Sequence, residues 1–353
     1  MSIASNIDQY SDCEKYMNII IVETPMELIN AIEAANYFNC TDSTLYIHSF
    51  YDKNIFFTLL DRFGWRGERY FFLDDAIDWS KPSESYWRQF LRKRRIEKII
   101  RHAGEANYLF IDYVRYHMRH VANNVKHNRL ILLDGGTDAL RVAAMRFQPM
   151  PESYSVKTLR SIIAEKLFGW NINEIPSVTF YSSYDFEIRD GDYLIKNEYE
   201  LTRAKLMNCA KSTIVYFLGQ PLVEDGYVSN DTYLNYIEKF VTEYGHDDIV
   251  YVAHPRESSK SLNSYLKSKG ITKCSFDYPV EIQMMMSGVF PRAVVSFFSS
   301  AIDNCRLIFG GTLDVLSIYI NENDLLPGHE HVEDIYRYLK EKQNENFSVI
   351  SFN

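Results

Sequence analysis

Short runs of apolar, mostly β-branched residues alternate along this chain with longer stretches in which apolar residues return every three or four positions. The first pattern suits a strand buried on both faces, the second an amphipathic helix. Asn18–Glu23 therefore reads as a buried strand. It leads through Thr24-Pro25 into a helix over Met26–Phe38, where Leu28, Ile29, Ile32 and Ala35 share a face. Strand Ser43–His48, helix Lys53–Phe63 and strand Glu68–Leu73 repeat the unit. A basic amphipathic helix over Trp87–His102 precedes strand Tyr108–Asp112, helix Val114–Val125 and strand Leu130–Leu133. Ser155–Phe168 reads as helix, and Ser177–Tyr181 and Tyr193–Lys196 as strands around the turn Arg189-Asp190-Gly191-Asp192. Such alternation predicts parallel sheets covered by helices.

Glu198–Lys211 carries no strong pattern, and the alternation starts afresh beyond it. Strand Ser212–Leu218, helix Asp231–Tyr244, strand Ile249–Ala253, helix Ser259–Lys269 and strand Cys274–Phe276 follow in turn. A Met-rich helix then begins near Glu281, and the apolar run from Ala293 stops at Ser299-Ser300 before another helix. A chain of 353 residues is long for one core. Two α/β domains are expected, 1–208 and 209–353.

Candidate chemistry collects at the carboxyl ends of these strands, the edge where open α/β sheets bind ligands. His254 ends one apolar run and is held out of helical conformation by Pro255; alone it reads equally well as a strand cap. Asp134 ends another, followed by Gly135 and Gly136, which let a ligand approach the backbone or simply make a turn. Gly219-Gln220 leaves a third strand, with the same two readings. Ser299 and Ser300 open a helix whose free amides suit an anion. Glu281 stands at a helix start, suited to the helix dipole or to a sugar's paired hydroxyls.

Composition narrows the classes. A net charge of -9 argues against a general nucleic-acid binder. The five cysteines are odd in number and scattered, without metal or redox spacing, and read as reduced thiols of a cytoplasmic protein. Residues 1–16 lack the basic start and apolar core of a signal peptide, and no apolar run is long enough to cross a bilayer. The helix over 87–102 reads first as a surface helix with its apolar side on the sheet, and second as a peripheral contact with an anionic inner membrane.

In this order, Thr24-Pro25-Met26-Glu27-Leu28, Asp134-Gly135, His254-Pro255 and Ser299-Ser300 resemble the bacterial sialyltransferases of glycosyltransferase family 52 and the capsular polysialyltransferases. That resemblance implies a GT-B architecture, two Rossmann-like domains with parallel sheets facing across a cleft, the second holding CMP-sialic acid. It implies that His254 contacts the donor phosphate and assists CMP departure, that Ser299 and Ser300 bind the same phosphate, and that Glu281 holds the ribose. Gly219, Gln220 and Pro255 complete the donor side; Thr24, Pro25, Gly135 and Gly136 lie on the acceptor side. Asp134 takes the place of the general base. The family commonly has two acidic residues before that glycine, whereas here Leu133 precedes Asp134, so Asp138 and Asp112 stay open as substitutes.

The resemblance thus implies an inverting transferase that moves sialic acid to a hydroxyl of an oligosaccharide or lipid-linked cell-surface glycan. Neither a metal nor a cofactor is expected, and a homodimer is compatible with it. Two alternatives stay open: the same fold acting on a UDP-hexose or another CMP-nonulosonic acid, and a non-catalytic nucleotide- or glycan-binding protein.

Overall fold

The computed structural model describes residues 17–49, 51–65, 67–71, 86–113, 115–135, 138–147, 169–245, 248–329 and 331–352. The helix expected over Ser155–Phe168 and the candidate Gly136 lie outside the described residues. The chain divides into two compact units, Met1–Asn197 and Glu198–Asn353. This division falls earlier than the expected 208/209. The polar stretch beyond Asn197 contains a short helix, Glu200–Leu206, whose Arg203 guanidinium donates to the Leu307 and Ile308 carbonyls of the second unit. Its amphipathic pattern is too short to read from sequence, and its anchoring is tertiary.

In the first unit β1 (Met17–Val22), α1 (Pro25–Tyr37), β2 (Ser43–Ile47), α2 (Lys53–Phe63), β3 (Glu68–Phe71), α3 (Tyr86–Ala103), β4 (Glu105–Ile111), α4 (Tyr116–Asn124), β5 (Lys126–Leu133), α5 (Asp138–Phe147), β6 (Thr179–Ser182) and β7 (Tyr193–Lys196) follow one another. Among the described residues the strands pair in the order β3-β2-β1-β4-β5-β6-β7, all parallel. Ile19 and Ile21 pack in one core with Ile96, Ile99, Leu109, Ile111, Met118 and Val121. Ile20 and Val22, alternating with them, are also buried, so both faces of β1 are covered. Strand β5 begins earlier than its apolar run because Lys126 and Arg129 pair with β4 while exposed. Hydrophobic patterning reads only the buried end of such a strand.

α3 matches the expected amphipathic helix with one change. Ile96 and Ile99 are fully buried, but so is Arg92, whose guanidinium donates to the Tyr116 hydroxyl at 2.6 Å. Lys93 lies over the Trp170 ring and pairs with Glu97. Arg94, Lys98 and Arg101 stay exposed, with Phe90 beside them in sequence. No helix among the described residues is long and apolar enough to cross a membrane. Cys40, Cys209, Cys274 and Cys305 are free thiols.

The second unit repeats the plan with β9 (Val215–Leu218), α7 (Asn230–Tyr244), β10 (Ile249–Val252), α8 (Lys260–Ser268), β11 (Thr272–Cys274), α9 (Val280–Ser287), β13 (Ala293–Ser296), α10 (Ser300–Phe309), β14 (Asp314–Ile318), α11 (His331–Glu341) and β15 (Phe347–Ile350). Here α6 is the helix Glu200–Leu206, and β8 (Ala210–Lys211) pairs with β12 (Val289–Phe290) apart from the main sheet. The main strand order is β11-β10-β9-β13-β14-β15, again parallel. Phe217 stacks on Tyr251 across β9 and β10. Both units are thus Rossmann-like α/β layers, and the chain carries two of them in tandem.

Candidate functional site

In each sheet the strand order reverses direction at one place: between β1 and β4 in the first unit, between β9 and β13 in the second. Crossover helices leave such a switch point to opposite sides of the sheet, opening a crevice beyond the carboxyl ends of the two strands. The residues emerging there are Glu23 and Thr24 with Asp112 in one unit, and Gly219 and Gln220 with Phe297 to Ser299 in the other. His254, after β10, and Asp134, after β5, stand one strand further out.

In the second unit, Ser299 caps α10: its hydroxyl accepts from the Ala301 amide, and Ser300 is the first helical residue and exposed. The switch itself is pinned by the buried Ser296 hydroxyl donating to the Leu218 carbonyl at 2.8 Å. Glu281 is buried at the start of α9; the Asn304 amide donates to its Oε1 at 2.9 Å, while Oε2 is buried with no hydrogen-bond partner. Burial raises its pKa. A buried carboxylate oxygen left unpaired is costly unless a ligand satisfies it. The His254 Nδ1 accepts from the Arg256 amide at 3.2 Å, which makes Nε2 the proton-bearing nitrogen of the neutral ring. Burial, then the Arg256 charge, pushes the imidazole below its usual pKa. Pro255 is exposed in the turn that follows.

The amides of Gly219 and Gln220 are already engaged, by the Val252 carbonyl and the Tyr233 hydroxyl respectively. Gly219 answers a different need. A Cβ built on it would lie 2.6 Å from the Tyr251 hydroxyl and closer still to the Glu257 carboxylate. The Gln220 Oε1 is buried without a partner.

In the first unit, Asp134 is buried; the Ser183 amide and hydroxyl donate to its Oδ2 at 2.8 and 3.2 Å, and Oδ1 has no partner. Burial raises its pKa to about 6, against the lowering by the serine hydrogen bonds. The Asn30 side chain holds its carbonyl. Gly135 is where the Asp112 carboxylate approaches the chain, with Oδ2 3.0 Å from where a Cβ would sit. Asp112 is itself buried, and Asp138 begins α5.

Thr24 and Pro25 start α1. Thr24 accepts from the Glu27 amide and donates to Glu27 Oε1, while Glu27 Oε2 accepts from the Glu23 amide at 2.7 Å. This resembles a capping box, legible as Thr24-x-x-Glu27, except that the glutamate carboxylate reaches the amide of Glu23, one residue before the cap, instead of that of Thr24. Burial, then the Asp112 charge, pushes Glu27 up to about 8. Next to it, Glu23 Oε1 lies 2.8 Å from His48 Nδ1 and 2.7 Å from His117 Nε2, and Oε2 accepts from Arg115 at 2.7 Å. Burial opposes the Glu23 charge, but His117, His48 and Arg115 together hold its pKa well below the carboxylate range. Burial pushes His117 down to about 4. The ionised pair is therefore Glu23 with Arg115, and the ring of His117 is neutral. Glu23, His48 and His117 offer donor atoms within 4.8 Å of one another that could hold a cation, although Arg115 already places a positive charge on the shared carboxylate.

Sequence reading missed Glu23, His48, Arg115 and His117 as site residues. The signal was present for two of them: Glu23 and His48 directly follow apolar strands, as Asp134 and His254 do.

Because Glu27 is raised in the fold, its contribution to stability is complete below the ordinary carboxylate range and is lost as pH rises through about 8. Glutamine also serves in a capping box and carries no charge. The melting temperature of Glu27→Gln relative to wild type is therefore expected to rise with pH across that window. A difference independent of pH in thermal melts would contradict this.

Residues 173–306 match the sequence model of glycosyltransferase family 52. The match makes the chain a glycosyltransferase. It includes His254, Glu281, Ser299 and Ser300, and leaves Asp134 and Thr24 outside. No curated protein matches the chain. Among solved structures, the glycosyltransferase is similar to the Methanocaldococcus jannaschii UDP-GlcNAc 2-epimerase, at 15% identity and a TM-score of 0.42 over 95% of this chain and 89% of that one. The ADP-heptose lipopolysaccharide heptosyltransferase II of E. coli shares 9% identity, with a TM-score of 0.40 over 95% and 90% of the two chains. A putative UDP-N-acetylglucosamine 2-epimerase from Listeria monocytogenes shares 11%, with a TM-score of 0.48 over 94% and 89%. The fold of this glycosyltransferase rests on its own two strand orders.

Proposed function

We propose that this glycosyltransferase moves sialic acid from CMP-sialic acid to a hydroxyl of a cell-surface glycan, with inversion and without a metal. The observation that carries the reading is the second unit's sheet edge: His254, Ser299-Ser300 and the half-satisfied carboxylate of Glu281 stand within the family 52 segment. The Glu281 Oε2 can accept from ribose hydroxyls. The start of α10 offers amides and the Ser299 and Ser300 hydroxyls to the phosphate.

In the reaction the acceptor oxygen forms a bond to the anomeric carbon as the bond from that carbon to the CMP phosphate oxygen breaks. Asp134, raised to about 6, takes the acceptor proton. The electron pair of the breaking bond leaves with CMP, whose phosphate charge is met by the His254 Nε2–H and the serines. One displacement inverts the centre. Arg94, Lys98 and Arg101, exposed on α3, fit contact with an anionic membrane where lipid-linked acceptors lie.

Calorimetry with CMP, UDP, GDP and AMP tests the donor. Selective CMP binding is the expected result. Preference for UDP would overturn the sialyl donor while keeping the transferase, and binding of none of the four would sink the donor site itself.

A further inference from the structure

The four residues His254-Pro255-Arg256-Glu257 fold back on themselves. The Glu257 amide donates to the His254 carbonyl at 3.0 Å, closing a turn with proline at its second position, where its fixed φ is favoured. The Glu257 side chain closes the same loop a second time: its Oε2 accepts from the His254 amide at 2.7 Å. Its Oε1 accepts from the Tyr251 hydroxyl at 2.6 Å and from the Tyr233 hydroxyl at 3.0 Å. Tyr233 in turn accepts from the Gln220 amide at 3.1 Å. One carboxylate thus joins the loop after β10 to the loop after β9, and Gly219 has no side chain where that carboxylate passes. An ordinary turn needs none of this. A hydrogen bond between residues of the loop would suffice, whereas here a charge is held by two buried phenols brought from β10 and α7.

We propose that Glu257, held by Tyr251 and Tyr233, is the positioning residue for His254, fixing its backbone and thereby the tautomer that presents Nε2–H to the leaving phosphate. The proposal rests on the phosphate role given to His254 above. A group of this kind touches no substrate. It acts by holding the ring where a displacement of about 1 Å can cost about a hundredfold in rate.

The charges that act on His254 are Arg256, which opposes its protonation together with burial, and Glu257, Asp225 and Glu224, which favour it. Neutralising Glu257 therefore lowers the imidazole pKa further. The test follows the His254 ring by nitrogen-15 NMR across pH in wild type, Glu257→Gln, Tyr251→Phe and Tyr233→Phe, together with CMP calorimetry and transfer from CMP-sialic acid. In Glu257→Gln, His254 is expected to titrate at lower pH and to lose its single tautomer. The same variant should lose about a hundredfold in kcat, with KM for the donor changed far less. The tyrosine variants, which keep the packing, should move the same readouts in the same direction by smaller amounts, and they decide the matter if Glu257→Gln does not fold. Folded variants in which the ring's titration, tautomer and kcat all stay at wild-type values would overturn the proposal. If wild type itself neither binds CMP nor transfers sialic acid, the donor reading fails, and the NMR arm still decides whether Glu257 sets the His254 ring.

Discussion

Asp134→Asn is expected to lower transfer by about a hundred- to ten-thousandfold while leaving CMP affinity at the wild-type level. Asparagine keeps an oxygen for the Ser183 amide, so the local fold survives, but it cannot take a proton from the acceptor hydroxyl. The pH dependence supplies an independent check. With Asp134 raised to about 6, wild-type kcat/KM should fall as pH drops through that value, because the carboxylate becomes protonated. The stability sign runs the opposite way. A raised carboxyl stabilises the fold fully below the ordinary carboxylate range and loses that contribution as pH rises through about 6. Asp134→Asn should therefore melt higher, relative to wild type, at pH 8 than at pH 4, trading activity for stability as buried catalytic charges do. Full transfer by the asparagine variant would move the base to Asp112 or Asp138.

The second large effect is expected at His254. In the proposed role, His254→Ala removes the Nε2–H that would meet phosphate charge in the transition state, and kcat is expected to fall about a hundred- to ten-thousandfold. A hydrogen bond to a charged phosphate contributes about 1.5–3 kcal/mol, so CMP binding should also weaken by roughly ten- to a hundredfold in calorimetry. The two readouts separate roles. A loss of CMP affinity with unchanged kcat would make His254 a binding residue only; no change in either would remove it from the site.

The positions of the residues proposed for the donor were legible from the chain because they are local. His254-Pro255 and Ser299-Ser300 sit where an apolar run stops, and Glu281 opens a helix; strand ends and helix starts are written in consecutive residues. Gly219-Gln220 reads from sequence either as room for a ligand or as a plain strand exit. The structure fills that room with Glu257 and Tyr251, residues far along the chain whose approach no local pattern records. In the Glu23 cluster, Arg115 and His117 were missed for the same reason, although Glu23 and His48 each follow an apolar strand. The cluster's histidines and arginine come from β2's exit and from α4, and they matter only once parallel pairing has placed the ends of β1, β2 and β4 side by side.

By itself the sequence determined the alternation of strand and helix, the presence of two α/β units and the residues at their strand ends, since each depends on periodicity and turn chemistry within a few positions. Only the tertiary structure decided where the sheets reverse, and with that which strand ends share a crevice. Strand order is a matter of long-range pairing and of the right-handed crossovers that satisfy it. It also decided the protonation of the buried groups. Glu27 and Asp134 are raised while Glu23 stays ionised, because the desolvation each suffers and the charges each meets are set by neighbours that only folding brings near.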